Sequence, residues 1–91
     1  MASPTSDEAG LRIARFVVSN LNYRGQVDDL LGSDPVRLTE AIDSAALLEL
    51  ASFVEDSFDV VIDDDEIAPE TFATVADVLR LLGEKGAIAY V

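Results

Sequence analysis

Apolar residues recur at helical period in three separate stretches of this chain, and this pattern constrains the fold more than any other feature. The stretches lie in residues 7–22, 44–58 and 75–82. Within each, most apolar side chains fall on one arc of a helical wheel, although Phe16 falls off the arc of the first stretch. This pattern predicts amphipathic helices with one buried side. Residues 60–62 have strand propensity but no partner run, so we expect an extended connection there. The sequence predicts an all-α fold, a small four-helix bundle with three longer helices, one short helix and a long first loop.

Capping residues predict where these helices begin and end. Thr5 with Glu8 has capping-box spacing before the first helix, and Thr74 with Asp77 repeats it before the last. Asp43 is suited to the N-cap of the middle helix. A glycine at position 83 predicts the end of the last helix.

The segments between the helices carry turn-forming residues. Residues 23–41 contain glycines and a proline without helical periodicity, which predicts a long connection. Its apolar side chains should attach it to the core: Val27, Leu30, Leu31, Val36 and Leu38. Residues 63–68 should form the short helical turn, ended by Pro69. We expect a single domain over 1–91, with residues 1–6 flexible and residues 84–91 either flexible or strapped across the bundle.

The residue types that are missing narrow the function classes. The chain has no cysteine and no histidine, so most nucleophilic triads, imidazole and thiolate metal sites and neutral-pH proton shuttles are excluded. The acidic block does not fit an EF-hand, because Asp64 or Ala68 stands where the calcium loop needs glycine. We therefore expect a protein that is not an enzyme and binds no metal.

Apolar runs are too short to span a membrane, and no basic-then-apolar leader is present. These features predict a soluble, cytoplasmic protein. Five arginines to one lysine, with twelve alanines, favour a bacterial source.

Negative charge is concentrated in one segment. Residues 38–79 contain twelve acidic and no basic side chains, whereas the rest of the chain contains six of each. Such a surface repels nucleic acid and favours proteins with basic patches. Mutual repulsion should raise the pKa of some of these carboxyl groups.

The dipeptide Asp43-Ser44 opens the middle helix inside this acidic segment. A serine there has its hydroxyl at the positive end of the helix dipole, where an attached phosphodiester is favoured. The core stripe of this helix is predicted to consist of Leu47, Leu50, Ala51, Val54 and Phe58. The opposite side consists of Ala45, Glu49, Ser52 and Asp56, with Leu48 and Phe53 at its margins. The dipeptide alone is a common helix cap, so the interpretation depends on the other residues of the chain.

Three groups of residues, including this dipeptide, resemble a known protein family. Residues 43–50 (Asp-Ser-Ala-Ala-Leu-Leu-Glu-Leu), Phe58 and residues 72–79 (Phe-Ala-Thr-Val-Ala-Asp-Val-Leu) are similar to acyl carrier proteins, and the resemblance covers nearly the whole chain. It implies a four-helix bundle in which Ser44 carries a 4′-phosphopantetheine arm and Asp43 orients the transferase reaction. Partner enzymes would dock on a surface that includes Ala45, Leu48, Glu49, Ser52, Phe53, Asp56, Glu66 and Ile67.

The resemblance also implies partners and cargo. The partners would be a phosphopantetheinyl transferase, a loading ligase or acyltransferase, and synthase or tailoring enzymes with basic patches. Neither nucleic acid nor membrane is expected, and the carrier should be a monomer. Residues 65–72 are similar to discrete carriers of natural-product pathways that load hydroxy- or amino-acid-derived units. The resemblance implies a polyketide or related natural-product pathway.

The chain departs from the family at three alanines. Ala41 stands where the family usually has glycine, Ala45 where it has a bulky leucine or methionine, and Ala46 where it often has an acidic residue. These departures leave an alternative open, an acidic protein-interaction module that kept a carrier-like bundle but is not modified.

Overall fold

The computed structural model describes residues 4–21 and 23–89, and this part of the chain is a bundle of helices without a strand. The elements in chain order are α1 (Ser6–Asn20), α2 (Val27–Leu31), α3 (Leu38–Ala41), α4 (Ser44–Phe58), a 3-10 turn (Asp64–Glu66) and α5 (Val75–Glu84). The all-α prediction is confirmed, as are the three longer helices and the short turn. The long first connection, residues 23–41, contains two short helices, α2 and α3, that its glycines and proline did not indicate.

The first long helix lies at the centre of the bundle, where it packs against α2, α4 and α5. The largest fully buried side chains come from every part of the chain: Ile13, Leu30, Leu38, Leu50, Phe72 and Leu82. Burial of this apolar surface is the main stabilising contribution in a chain of this size.

A local cap and packing against distant residues hold the two short helices. Before α2, the Gln26 N–H donates to Asp29 Oδ2 at 2.8 Å, and Leu30 is buried beneath the helix. Before α3, the Leu38 N–H donates to the Ala73 carbonyl at 2.7 Å. Helices of four or five residues are unstable alone, so this packing, not local propensity, explains them. Leu31 is 39% exposed, which corrects its assignment to the core.

The caps of the longer helices agree with the predictions. The Glu8 N–H donates to Thr5 Oγ1 at 3.2 Å, and α1 begins at Ser6, one residue earlier than predicted. The helix ends at Asn20 with Leu21 as its C-cap, earlier than the predicted end at residue 22, which itself lies outside the described residues. The Asp77 N–H donates to Thr74 Oγ1 at 3.3 Å, and the Thr74 N–H donates to Asp77 Oδ2 at 3.2 Å.

The end of α5 differs from the prediction. The helix continues through Gly83 to Glu84. Gly86 has a φ of 73°, a left-handed conformation that favours glycine, and the Ala87 N–H then donates to the Leu82 carbonyl at 2.9 Å. The second glycine therefore ends the helix, because it is the one in the left-handed region.

The C-terminal segment packs beside the start of α1. The Ala89 N–H donates to the Pro4 carbonyl and the Ser6 N–H to the Ala89 carbonyl, both at 2.9 Å, while Ile88 is buried. The C-terminal segment was expected to be either flexible or strapped across the bundle, and as far as residue 89 it is a strap. The flexibility of residues 1–6 stays a prediction, and residues 1–3, 90 and 91 lie outside the described part.

Candidate functional site

Ser44 is the first residue of α4, and its side chain is exposed. Asp43 precedes it as the N-cap, in extended conformation, and its Oδ1 accepts from the Ala46 N–H at 2.8 Å. This cap leaves the Ser44 hydroxyl without a hydrogen bond to the described residues. An open hydroxyl therefore lies at the positive end of a fifteen-residue helix.

The position of Ser44 follows from the turn between α3 and α4. Ile42 is only 7% exposed and has extended backbone, with its N–H bonded to the Leu38 carbonyl at 2.9 Å. Its anchoring in the core directs Asp43 outward, since neighbouring residues in extended chain point to opposite sides, and Ser44, the first helical residue, is exposed as well.

A shallow pocket of about 360 Å³ lies beside this turn, between the end of α1 and the start of α4. Its lining includes the methyl groups of Ala41, Ala45 and Ala46, together with Asn20 and Glu49. All three alanines that depart from the carrier family therefore line one pocket.

The exposed side of α4 is the one predicted for docking. Ala45, Glu49, Ser52 and Asp56 are exposed, Leu48 is 55% exposed and Phe53 is half-buried. On the opposite side Leu50, Ala51, Val54 and Phe58 are buried, whereas Leu47 is only half-buried. Helix α4 thus buries one side in the core and exposes the opposite side to solvent.

The sequence reasoning missed the contribution of α1 to this surface. The Phe16 ring stacks on the Phe53 ring, with 4.1 Å between centroids and 9° between planes. The guanidinium carbon of Arg12 lies 5.9 Å from the centroid of Phe58, and Arg15 is exposed. The sequence feature that pointed to this contribution is Phe16, an aromatic residue that falls off the apolar arc of its helix and so does not belong to the core side.

Glu66 and Ile67, also predicted for docking, belong to the segment after α4 and are half-buried. The Glu66 Oε1 accepts from Lys85 Nζ at 2.9 Å and from the Asp63 N–H at 3.0 Å. The lysine contact, followed by the backbone bond, lowers the pKa of the Glu66 carboxyl. This shift is opposite to the increase expected for crowded carboxylates, because the cation comes from outside the acidic segment.

Few acidic side chains in the described ranges are paired. Arg80 contacts Asp77 at 3.4 Å and Lys85 contacts Glu66, so two of the 18 carboxylates form ion pairs. Within residues 4–21 and 23–89, no three acidic side chains are grouped so that they could hold a metal ion.

No helix in the described part of the chain is both long and apolar enough to span a membrane. Comparisons with protein-family models, curated proteins and solved structures give no match to this chain.

Proposed function

We propose that this protein is a discrete acyl or aminoacyl carrier whose Ser44 bears a 4′-phosphopantetheine arm. The observation that carries the proposal is the exposed Ser44 hydroxyl at the start of α4, capped by Asp43, in a segment whose charged side chains are all acidic. A serine that served only as a helix cap would bond a backbone N–H, and here Asp43 does so instead.

The surroundings of Ser44 suit a 4′-phosphopantetheine arm. Its side chain is exposed, so an elongated arm meets no obstruction, and a phosphodiester at the helix start is stabilised by the dipole by about 0.3–1 kcal/mol. The arm supplies a thiol that holds acyl groups as thioesters, a chemistry that no side chain here can provide, since cysteine is absent.

Attachment requires a transferase and coenzyme A. The Ser44 Oγ would form a bond to the pantetheine-side phosphorus of the coenzyme A pyrophosphate. The P–O bond to the adenosine side breaks, and 3′,5′-adenosine diphosphate leaves with the electron pair. The hydroxyl proton passes to a base of the transferase, because the carrier has no histidine to accept it.

The proposed setting is the cytoplasm of a bacterium, in a polyketide or related natural-product pathway. A loading ligase or acyltransferase would attach the cargo, and synthase or tailoring enzymes would take it up. The exposed side of α4 supports this proposal, because enzymes acting on one carrier in turn need a common surface near the attachment residue.

Intact mass after incubation with a phosphopantetheinyl transferase and coenzyme A tests the proposal. We expect one phosphopantetheine-sized increment on the wild type, none on Ser44→Ala, and a normal increment on Ser33→Ala, whose serine is exposed after α2 and outside the predicted docking surface. Both variants should keep the helical circular dichroism of the wild type. Absence of an increment with several transferases would favour the unmodified interaction module.

A further inference from the structure

A groove runs between the first and fourth helices, in two adjoining depressions of about 410 and 480 Å³. We call it the α1–α4 groove, and it is formed by Arg12, Arg15, Phe16 and Ser19 of α1 and by Glu49, Ser52, Phe53, Asp56 and Ser57 of α4. The stacked rings of Phe16 and Phe53 form its apolar floor.

The walls of the groove carry opposite charges. Arg15 lies on the α1 side and Glu49 and Asp56 lie on the α4 side, and none of the three is in an ion pair with a described residue. Two acidic side chains outside the groove already have donors, because Glu55 accepts from the Ile62 N–H and Glu66 from Lys85. The groove therefore places unpaired charges of both signs beside an apolar floor.

The groove also lies within reach of an enzyme that binds Ser44. Ser44 and Phe53 are nine positions apart on α4, about 14 Å along the axis at 1.5 Å per residue. A typical protein interface covers about 800 Å² on each partner, a patch roughly 16 Å in radius. An interface centred on Ser44 is therefore wide enough to reach the level of Phe53 along the helix axis.

We propose that the transferase that modifies Ser44 docks in the α1–α4 groove through contacts of both signs. An apolar side chain of the enzyme covers Phe16 and Phe53, a cation faces Glu49 and Asp56, and a carboxylate faces Arg15. This inference rests on the proposed carrier function. It differs from docking through a wholly basic patch, because the groove itself carries both charges.

Two arginine replacements separate the two modes of docking. Arg15→Glu changes the groove, whereas Arg80→Glu makes the same change on α5, where Arg80 is exposed and pairs only with Asp77. Each replaces a positive by a negative charge, so both take the net charge from −12 to −14. A wholly basic enzyme surface would modify both variants as fast as the wild type or faster, since attraction increases.

The measurement is kcat/KM for modification by the transferase at low salt, followed by intact mass. We expect Arg15→Glu to lose about tenfold, with the loss shrinking as salt rises. Glu49→Lys should lose a similar factor, because the opposite wall is reversed. Arg80→Glu should lose none. Arg15→Gln, which removes the charge without reversing it, should fall between the wild type and Arg15→Glu, and thermal melts establish that each variant is folded.

Each outcome decides a different point. A wild type that gains no mass would overturn the carrier function and this docking mode together. A wild type that is modified, with Arg15→Glu as fast as Arg80→Glu or faster, would overturn the groove alone. Equal slowing of both arginine variants would also overturn it, since the effect would then come from net charge.

Discussion

The cap at Asp43 gives the most direct prediction about stability. Its Oδ1 accepts from the Ala46 N–H at 2.8 Å and satisfies one of the free donors at the start of α4. Loss of such a cap costs about 1 kcal/mol. A domain of this size loses roughly 4–8 °C in melting temperature per kcal/mol. We therefore expect Asp43→Ala to melt about 4–8 °C below the wild type.

Two matched variants separate the hydrogen bond from the charge. Asp43→Asn keeps an acceptor oxygen and loses only the dipole interaction, about 0.3 kcal/mol at an exposed position. Asp56→Asn removes a charge from the exposed side of the same helix without touching the cap. Thermal melts by circular dichroism at pH 7 compare the four proteins. If the melting temperature of Asp43→Asn fell as far as that of Asp43→Ala, the loss would come from the charge of Asp43 and not from its capping hydrogen bond.

Three further changes test the fold and its electrostatics. Asp59 has a φ of 54°, a left-handed conformation that is unfavourable for most side chains, so Asp59→Gly should raise the unfolding free energy by about 0.5 kcal/mol in denaturant titrations. Lys85→Gln should raise the pKa of Glu66 as followed by NMR. That pKa is lowered in the folded protein, so the Lys85–Glu66 contact stabilises the fold at pH values above the pKa of the unfolded chain. This stabilisation is lost as the pH falls through the pKa of the folded protein. Lys85→Gln should therefore lose less stability on acidification than the wild type. Salt at ~0.5 M should stabilise the protein at pH 7 by about 1–2 kcal/mol, since most carboxylates lack an ion-pair partner among the described residues; an unchanged or lower melting temperature would contradict this.

Local signals in the sequence predicted the longer helices and their caps. Thr5, Asp43 and Thr74 each bond an N–H three residues ahead, so a short window contains both partners. The apolar stripe of α4 likewise predicted which side is buried. These features depend on neighbours within one or two helical turns.

Contacts between distant residues were not predictable in the same way. α3 is held by the bond from Leu38 to Ala73, and the Glu66 pKa depends on Lys85, nineteen positions away. The stack of Phe16 on Phe53 joins two helices whose relative rotation no local pattern specifies. Only the displacement of Phe16 from its arc indicated that α1 contributes to the exposed surface.

Mass spectrometry of protein purified from the native host tests most directly whether Ser44 carries the arm. Trypsin should release residues 38–80 as one peptide, because no basic residue lies between Arg37 and Arg80. This peptide contains three serines, at positions 44, 52 and 57, and fragmentation distinguishes them. We predict a phosphopantetheine-sized increment on Ser44, alone or with an acyl group. An unmodified peptide, or an increment on Ser52 or Ser57, would contradict the account.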